Sequence, residues 1–478
     1  MIGNLGNGLS VKVLTDQKIA DINQAALTIL DEIGVAVLHH EARELLDGAG
    51  AVVAKDNLVK IPPQLVMKAL ESAPKSFTLF DRAGQPRMQM EQGRLYYGAC
   101  LESLEYLDPY TGKTERYRFE HQSKIIKVFD YLPNLEFIQT GGLDADVNPK
   151  ISDRVCFKNT LIHTDKPICF CISGDNQTSA DIIEAAAVVA GGFQELAAKP
   201  FIFYLCDPVS PRMNVESSVG HLLTCADQRI PAVCLPYCTL GGTAPVTFAG
   251  ALAQCTAEVL SCLVMHQLKS PGAPFIFGAM PAMMDMKTTI GTYGSPELSM
   301  LVAASAEIAN FYGLPFYGTA GTTDAKSIDA QAIMEVTMSC LLSSLSKTTF
   351  AHDVGFMHHS RVISPELMVI TNEIIDMLKP LRRGVEVNKE TLAIDMMRRI
   401  PPGGHYLNEQ HTYEHFKECW YPELLDRSKK ESVPTVNEKA REKTMHILEN
   451  HTLKKVSVEI ARELEQLEQK WRINAGLA

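Results

Sequence analysis

From about residue 135 onward the chain alternates short, continuously apolar runs with longer stretches of helical periodicity. The runs are LEFIQT at Leu135, PICFCIS at Pro167, PFIFYLC at Pro200, PAVCLPY at Pro231, PFIFGAM at Pro274, LPFYGT at Leu314 and TTFAH at Thr348. None has the in–out alternation of a strand with one wet face, so they read as strands buried on both faces of a parallel sheet. Spacings of roughly 30 to 45 residues leave room for one crossover helix each. Residues 179–191, rich in Ala, Ile and Val, form one such helix, and residues 248–269 another. A third opens at Ser295-Pro296-Glu297, with Ser as N-cap, Pro at the first helical position and Glu in the first turn. Seven such units, with an eighth strand expected around Val385, predict a closed (β/α)8 barrel; an open doubly wound sheet is the alternative.

The two ends follow other patterns. Ile19, Ile22, Ala26, Ile29 and Ile33 recur at helical spacing and stop at Gly34, after which short helices and strands surround the turn-rich LDPYTGKTER at Leu107. Leu453, Val456, Ile460, Leu464, Leu467 and Trp471 make one apolar stripe on a charged helix, expected to pack on the barrel or on a second subunit. The expected organisation is a mixed α/β extension over 1–130, the barrel over 131–430 and an amphipathic helix over 431–478.

Composition narrows the function classes. A hydrophobic fraction of 46% with 21% charged residues suits a globular protein with a sizeable core. The net charge of −11 argues against nucleic acid as a partner, since phosphate binding needs a basic surface. No apolar run reaches the roughly 18 residues of a membrane span, and MIGNLGNGLS has no charged segment followed by an apolar core. A cytoplasmic location without membrane contact is expected. The 12 cysteines include no CxxC pair and lie mostly in apolar runs, as buried thiols of a reducing, even anaerobic, cytosol do.

In such a barrel the site lies at the C-terminal ends of the strands. There the chain carries GSPE at Gly294, GTTDAKSIDAQA at Gly321 and HDVGF at His352, which makes Glu297, Asp324, Lys326, Asp329, Gln331, His352 and Asp353 candidates. Asp329, ahead of an apolar helix, reads as its cap. The run GGTAPVTFAGALAQ at Gly241 stands between a strand and a long helix pattern; Gly241, Gly242 and Thr243 there could offer backbone N–H groups to an anion. No dinucleotide, phosphate-loop or nucleophile-elbow motif is present. His411, His415 and Cys419 share a helix face, but i and i+8 lie about 12 Å apart along the axis, too far for one metal ion. His358 and His359 read as surface or packing residues. Tyr96, Tyr97, Tyr293, Phe316, Tyr317 and Phe356 fall near strand ends, where rings can surround a quaternary ammonium. Tyr97 and Phe356 lead, because each adjoins a turn-forming glycine, Gly98 or Gly355.

Together with TDKPI at Thr164, HDVG at His352, PGGHYL at Pro402 and HTYEHF at His411, these segments resemble the trimethylamine methyltransferase family of corrinoid-dependent enzymes. The resemblance implies a (β/α)8 barrel that passes a methyl group from a methylamine to the Co(I) of a separate corrinoid protein, without a tightly bound cofactor or metal of its own. Members that act on trimethylamine contain pyrrolysine, expected around residues 318–335, whereas this sequence has only the ordinary twenty residues. Members without it resemble enzymes for quaternary amines, with glycine betaine the leading substrate and proline betaine, carnitine and butyrobetaine as alternatives. A zinc-dependent corrinoid methyltransferase and a non-catalytic betaine-binding protein are the competing readings. On this reading His352 and Asp324 are the catalytic candidates. Tyr97, Phe356, Lys326, Gly241, Gly242, Thr243, Gln331 and Glu297 bind substrate, with Lys326, His352 or the Gly241 turn holding its carboxylate. A homo-oligomer is expected.

Overall fold

Eight parallel strands close into a barrel in the computed structural model, which describes residues 8–91 and 93–477. They are β1 (Tyr96–Cys100), β2 (Leu135–Thr140), β3 (Ile168–Phe170), β4 (Ile202–Cys206), β5 (Ala232–Cys234), β6 (Phe275–Gly278), β7 (Phe316–Thr319) and β8 (Phe350–Val354). Each is followed by a shell helix: α1 (Phe119–Tyr131), α2 (Ser152–His163), α3 (Gln177–Ala190), α4 (Glu216–Asp227), α5 (Phe248–Lys269), α6 (Pro296–Phe311), α7 (Ala330–Leu345) and α8 (Pro365–Arg383). The seven apolar runs are seven of the strands. The eighth is not at Val385, which is exposed just beyond the end of α8. It is β1, YYGAC, inside the segment expected to precede the barrel, and it pairs with both β8 and β2.

The sequence hides β1 because a glycine interrupts it. That glycine is required: a Cβ on Gly98 would lie 2.5 Å from the Phe137 ring. Phe137, Phe203, Tyr317 and Phe350 fill the barrel axis with ring centroids 5.3–6.2 Å apart, so the interior is packed rather than open. At the N-terminal end of the barrel Lys166 is buried between β2 and the end of α1, and its Nζ donates to the carbonyls of Phe129, Leu132 and Leu135 at 2.7–2.9 Å.

The N-terminal segment attaches through Val35–Val37, which pairs in parallel with Met213–Asn214, and through helix Asp16–Thr28 against α5. That contact explains α5. At 22 residues it is long and apolar enough to cross a membrane, contrary to the expectation from the sequence, yet most of it is buried inside the fold. Of the N-terminal decapeptide, residues 1–7 lie outside the described residues. The C-terminal region is two helices rather than one, Val436–Asn450 and Val458–Asn474. The first packs on α8 and α1, and the second on α2 and α3. Leu464 and Trp471 of the predicted stripe are buried there, and Lys158 pairs with Glu465 at 2.9 Å and with Glu468.

Two small sheets rise above the C-terminal end of the barrel. Tyr237–Leu240 and Met280–Asp285 continue β5 and β6 outward as a parallel pair, extended by Ile290–Gly291. Phe356–Met357, Val362–Ile363, Glu105–Leu107 and Thr114–Arg116 form the other.

Candidate functional site

Between these two sheets lies a cavity of about 640 Å³, in the range of small-molecule sites. Its wall follows from strand periodicity. Residues that point into the barrel recur every second position, so the next inward positions beyond the axial aromatics reach the cavity. Cys100 and Glu102 follow Gly98, Gln139 follows Phe137, Leu205 and Asp207 follow Phe203, Leu235 leads to Tyr237, and His352 follows Phe350. β8 breaks the alternation once. Its register slips between Ala351 and Val354, and Asp353 takes φ +76°, so His352 and Asp353 both face the cavity.

The lining joins acids and rings. Burial, then Asp207 and Asp153, push Glu102 up to about 7, and Gln139 Nε2 donates to its Oε2 at 3.4 Å. Asp207 is pushed up to about 6 by desolvation and by Glu258, although its side chain stays open to the water of the cavity. Asp353 accepts from Thr319 Oγ1 at 2.7 Å and lies 3.2 Å from His352 Nε2. His352 is itself fixed, with Nδ1 2.7 Å from the Gly318 carbonyl and its ring stacked on Tyr317 at 4.6 Å. Tyr237 and Tyr293 stack at 5.9 Å and 20°, and with Phe356 they form the aromatic wall. Burial raises both tyrosines above their ordinary range, so both remain neutral phenols.

Of the predicted residues, His352, Asp353, Phe356 and Tyr293 line the cavity. Tyr97 does not. With Gly98 and Cys100 inward, Tyr97 points outward to the helix shell, fully buried, and its hydroxyl donates to the Cys340 carbonyl at 2.9 Å. Asp324 is a brace beside the cavity. Its carboxylate accepts from the Tyr293 and Gly294 backbone N–H groups and from His359 Nδ1, all at 2.8–2.9 Å. Its own backbone N–H is held by Glu335 at 2.8 Å. Lys326 is exposed and outside the lining. Gln331 is exposed on the first turn of α7, where it bonds Glu335 at 2.8 Å. Glu297 sits in the first turn of α6, away from the cavity. Asp329 caps α7, as expected.

The turn at Gly241 is not an anion site. The N–H of Gly241 bonds the Ala244 carbonyl, and those of Gly242 and Thr243 bond the Thr239 carbonyl. The helix begins only at Phe248, and Thr247, at its N-cap position, makes no side-chain capping bond. Conversely, His358 and His359 line the cavity rather than serving as packing. Glu102, Gln139, Asp207, Tyr237 and Arg361 were missed. For the first four the inward phase of the strands was the available signal. Among the described residues no group of three or more His, Cys, Asp or Glu is arranged to hold a metal ion.

Comparison with known proteins identifies the family. The family model "Trimethylamine methyltransferase (MTTB)" matches residues 5–473. The trimethylamine methyltransferase MttB of Desulfitobacterium hafniense is 28% identical over 98% of this chain and 96% of its own length. A glycine betaine methyltransferase of the same species is 28% identical over 95% of each chain, and the MttB of Methanosarcina barkeri is 29% identical over 97% and 96%. The crystal structure of the Methanosarcina barkeri monomethylamine methyltransferase covers 91% of this chain and 93% of its own, at a TM-score of 0.49 and 11% identity. With nearly its full length matched, the chain belongs to the trimethylamine methyltransferase family.

Proposed function

We propose that this methyltransferase moves a methyl group from a quaternary amine to the Co(I) of a corrinoid carried by a partner protein. The observation that carries the reading is the cavity itself. Glu102, Asp207 and Asp353 converge there with Tyr237, Tyr293 and Phe356, and no lysine lines it. Carboxylates and ring faces attract a cation, and each ring adds about 0.5–2 kcal/mol. Relatives named for trimethylamine and for glycine betaine are equally similar in sequence, so identity does not choose between them. The absence of any residue beyond the ordinary twenty supports the quaternary amine.

The chemistry needs little acid–base help. Co(I) supplies the electron pair that forms the new bond to carbon, and the C–N pair leaves on nitrogen as a neutral tertiary amine. No proton has to be delivered. The work left to this chain is to strip water from the cation, hold it, and aim one methyl at the opening. Tyr237, Tyr293 and Phe356 supply low-polarity faces that do not compete as nucleophiles, while Glu102 and Asp207 balance the charge. His352 acts as a positioning residue, fixing Asp353 at the wall.

The test is anaerobic. The protein is mixed with cob(I)alamin, or with a corrinoid protein, and a panel of trimethylamine, tetramethylammonium, glycine betaine and longer betaines, and the loss of cob(I)alamin absorbance is followed. Methylation by a quaternary amine but not by trimethylamine supports the reading. Methylation by trimethylamine alone, or by none of the panel, rejects it.

A further inference from the structure

Residues 385–421 leave the barrel where α8 ends and return alongside it, and the fold gives them no core. Among the described residues from Arg383 to Glu423 none is buried, while ten large apolar residues between Val385 and Tyr421 are 40–79% exposed. The segment is nonetheless structured, with helices Lys389–Leu392, Ile394–Met397 and Gln410–His415. Its polar groups satisfy one another: Asp395 meets Arg398 at 2.6 Å, Glu409 meets Arg399 at 3.3 Å and Glu418 meets His415 at 2.6 Å. Arg383 Nη2 ties this arm to α8 by donating to the Glu418 carbonyl at 2.9 Å, and Trp420 Nε1 donates to Asp376 at 2.9 Å where the chain returns. Helices of one turn do not hold themselves together in water. The entropy lost in ordering so long a segment has to be offset by apolar burial, which a single copy does not supply. The arm carries PGGHYL and HTYEHF, and neither lines the cavity.

A seat of matching character lies at the same end of the barrel. There Arg382, the penultimate residue of α8, donates to the Ser344 carbonyl at the end of α7 at 2.9 Å. Nearby a groove of about 470 Å³ opens between residues 8–19 and the ends of α6 and α7. Val11, Ile19, Phe311 and Leu345 give it an apolar lining, and Phe311 is 52% exposed. Glu307 fixes its edge by accepting from the Val13 and Leu14 N–H groups at 2.7 and 2.8 Å. None of the arm's residues lines it. One chain thus carries, at one end, an apolar arm without a core and an apolar groove that its own arm leaves open. Two copies related by a twofold axis satisfy both, because such an interface makes each contact twice. The areas agree: an aromatic side chain brings about 150–250 Å², so ten large apolar residues exposed to this extent roughly match the 800 Å² per partner of a specific interface. The methyl acceptor is not the occupant, since the cavity opens at the opposite end of the barrel and a protein presenting a corrinoid there approaches from the other side.

We propose that 385–421 is an exchange arm, anchored by Leu407 and Tyr413, which packs into the groove between residues 8–19 and the ends of α6 and α7 of a second copy of this chain. The assembly joins the N-terminal ends of two barrels and leaves both cavities facing outward.

Sedimentation equilibrium and amine crosslinking of the full-length protein test the contact. The wild type should sediment at a multiple of the chain mass. Leu407→Asp combined with Tyr413→Asp on the arm, and Phe311→Asp in the groove, should each weaken association about thirtyfold or more, the loss expected for a central anchor, with the far-ultraviolet circular dichroism unchanged. Crosslinking examines the same contact without a variant. Links from Lys389 or Lys417 of the arm to Lys12 or Lys347 beside the groove should occur in the covalent dimer and be missing from the covalent monomer. If a variant misfolds, the crosslinks decide alone. A monomer at micromolar concentration, an oligomer that either folded variant leaves intact, or a covalent dimer without those links overturns the proposal.

Discussion

The two ends of the barrel bury opposite charges and use them differently. At the N-terminal end Lys166 is buried, and desolvation lowers it to about 8, yet three carbonyls accept hydrogen bonds from its Nζ. At the open end Glu102 is raised to about 7 by burial and by neighbouring acids, and its bond to Gln139 is a long one. The same penalty for removing a charge from water acts at both ends. One end has been satisfied internally and is finished structure, whereas the other keeps an unmet demand that a cation can fill. Unmet electrostatic demand, rather than pKa displacement alone, is what distinguishes a site from a core.

The largest effect is expected at the N-terminal end. Lys166→Ala should orphan three carbonyls and cost about 3 kcal/mol of stability, read as a lower urea midpoint, with unchanged methyl transfer by the folded fraction. A catalytic defect in well-folded protein would erase the distinction between the ends. At the open end Glu102→Gln should reverse the pattern, weakening tetramethylammonium binding in a calorimetric titration about tenfold or more while raising, not lowering, the urea midpoint at neutral pH, because a buried charge is removed.

Tyr237→Ala and Tyr293→Ala should each cost about 1 kcal/mol of cation binding, seen in the same titration, while the phenylalanine variants keep most of it. The pH dependence sharpens the contrast. Glu102 and Asp207 stand above their ordinary values of 4.5 and 3.8, so the native state holds more protons than the unfolded chain until pH passes about 7. Stability of the free protein should therefore decline between about pH 4 and 7 on their account, and cation affinity should rise over the same interval. Glu102→Gln should flatten the upper part of the affinity curve. The smallest effect belongs to Tyr97→Phe, expected to lose about 1 kcal/mol of thermal stability through its bond to Cys340 and to leave cation binding untouched.

Seven of the eight strands were legible because short, continuously apolar runs bounded by turn residues fit strands buried on both faces better than any other element. β1 was not, because Gly98, the residue that lets it fit against Phe137, also breaks the run. Residues that line the candidate cavity were legible where a motif marked them, as at His352. Residues were misassigned where adjacency to a glycine replaced strand phase, as at Tyr97. Glu102 and Asp207 needed only that phase, counted two residues on from Cys100 and Leu205. Arg361 could not have been found so simply. It reaches the cavity through a turn of left-handed non-glycine residues, a conformation that no local preference of His, His and Ser predicts.

The pairing of β1 with β8 also bears on synthesis. The last residue of β8, Val354, leaves the ribosome roughly 250 residues after Cys100 of β1. At roughly 5–20 residues per second that delay is on the order of 15–50 s. Throughout it one edge of Tyr96–Cys100 has no partner strand, and the inner face of the growing sheet is uncapped. A nascent chain in that condition is a natural client for a chaperone, and slowing translation after β1 should lower the yield of native protein more than slowing it after β8.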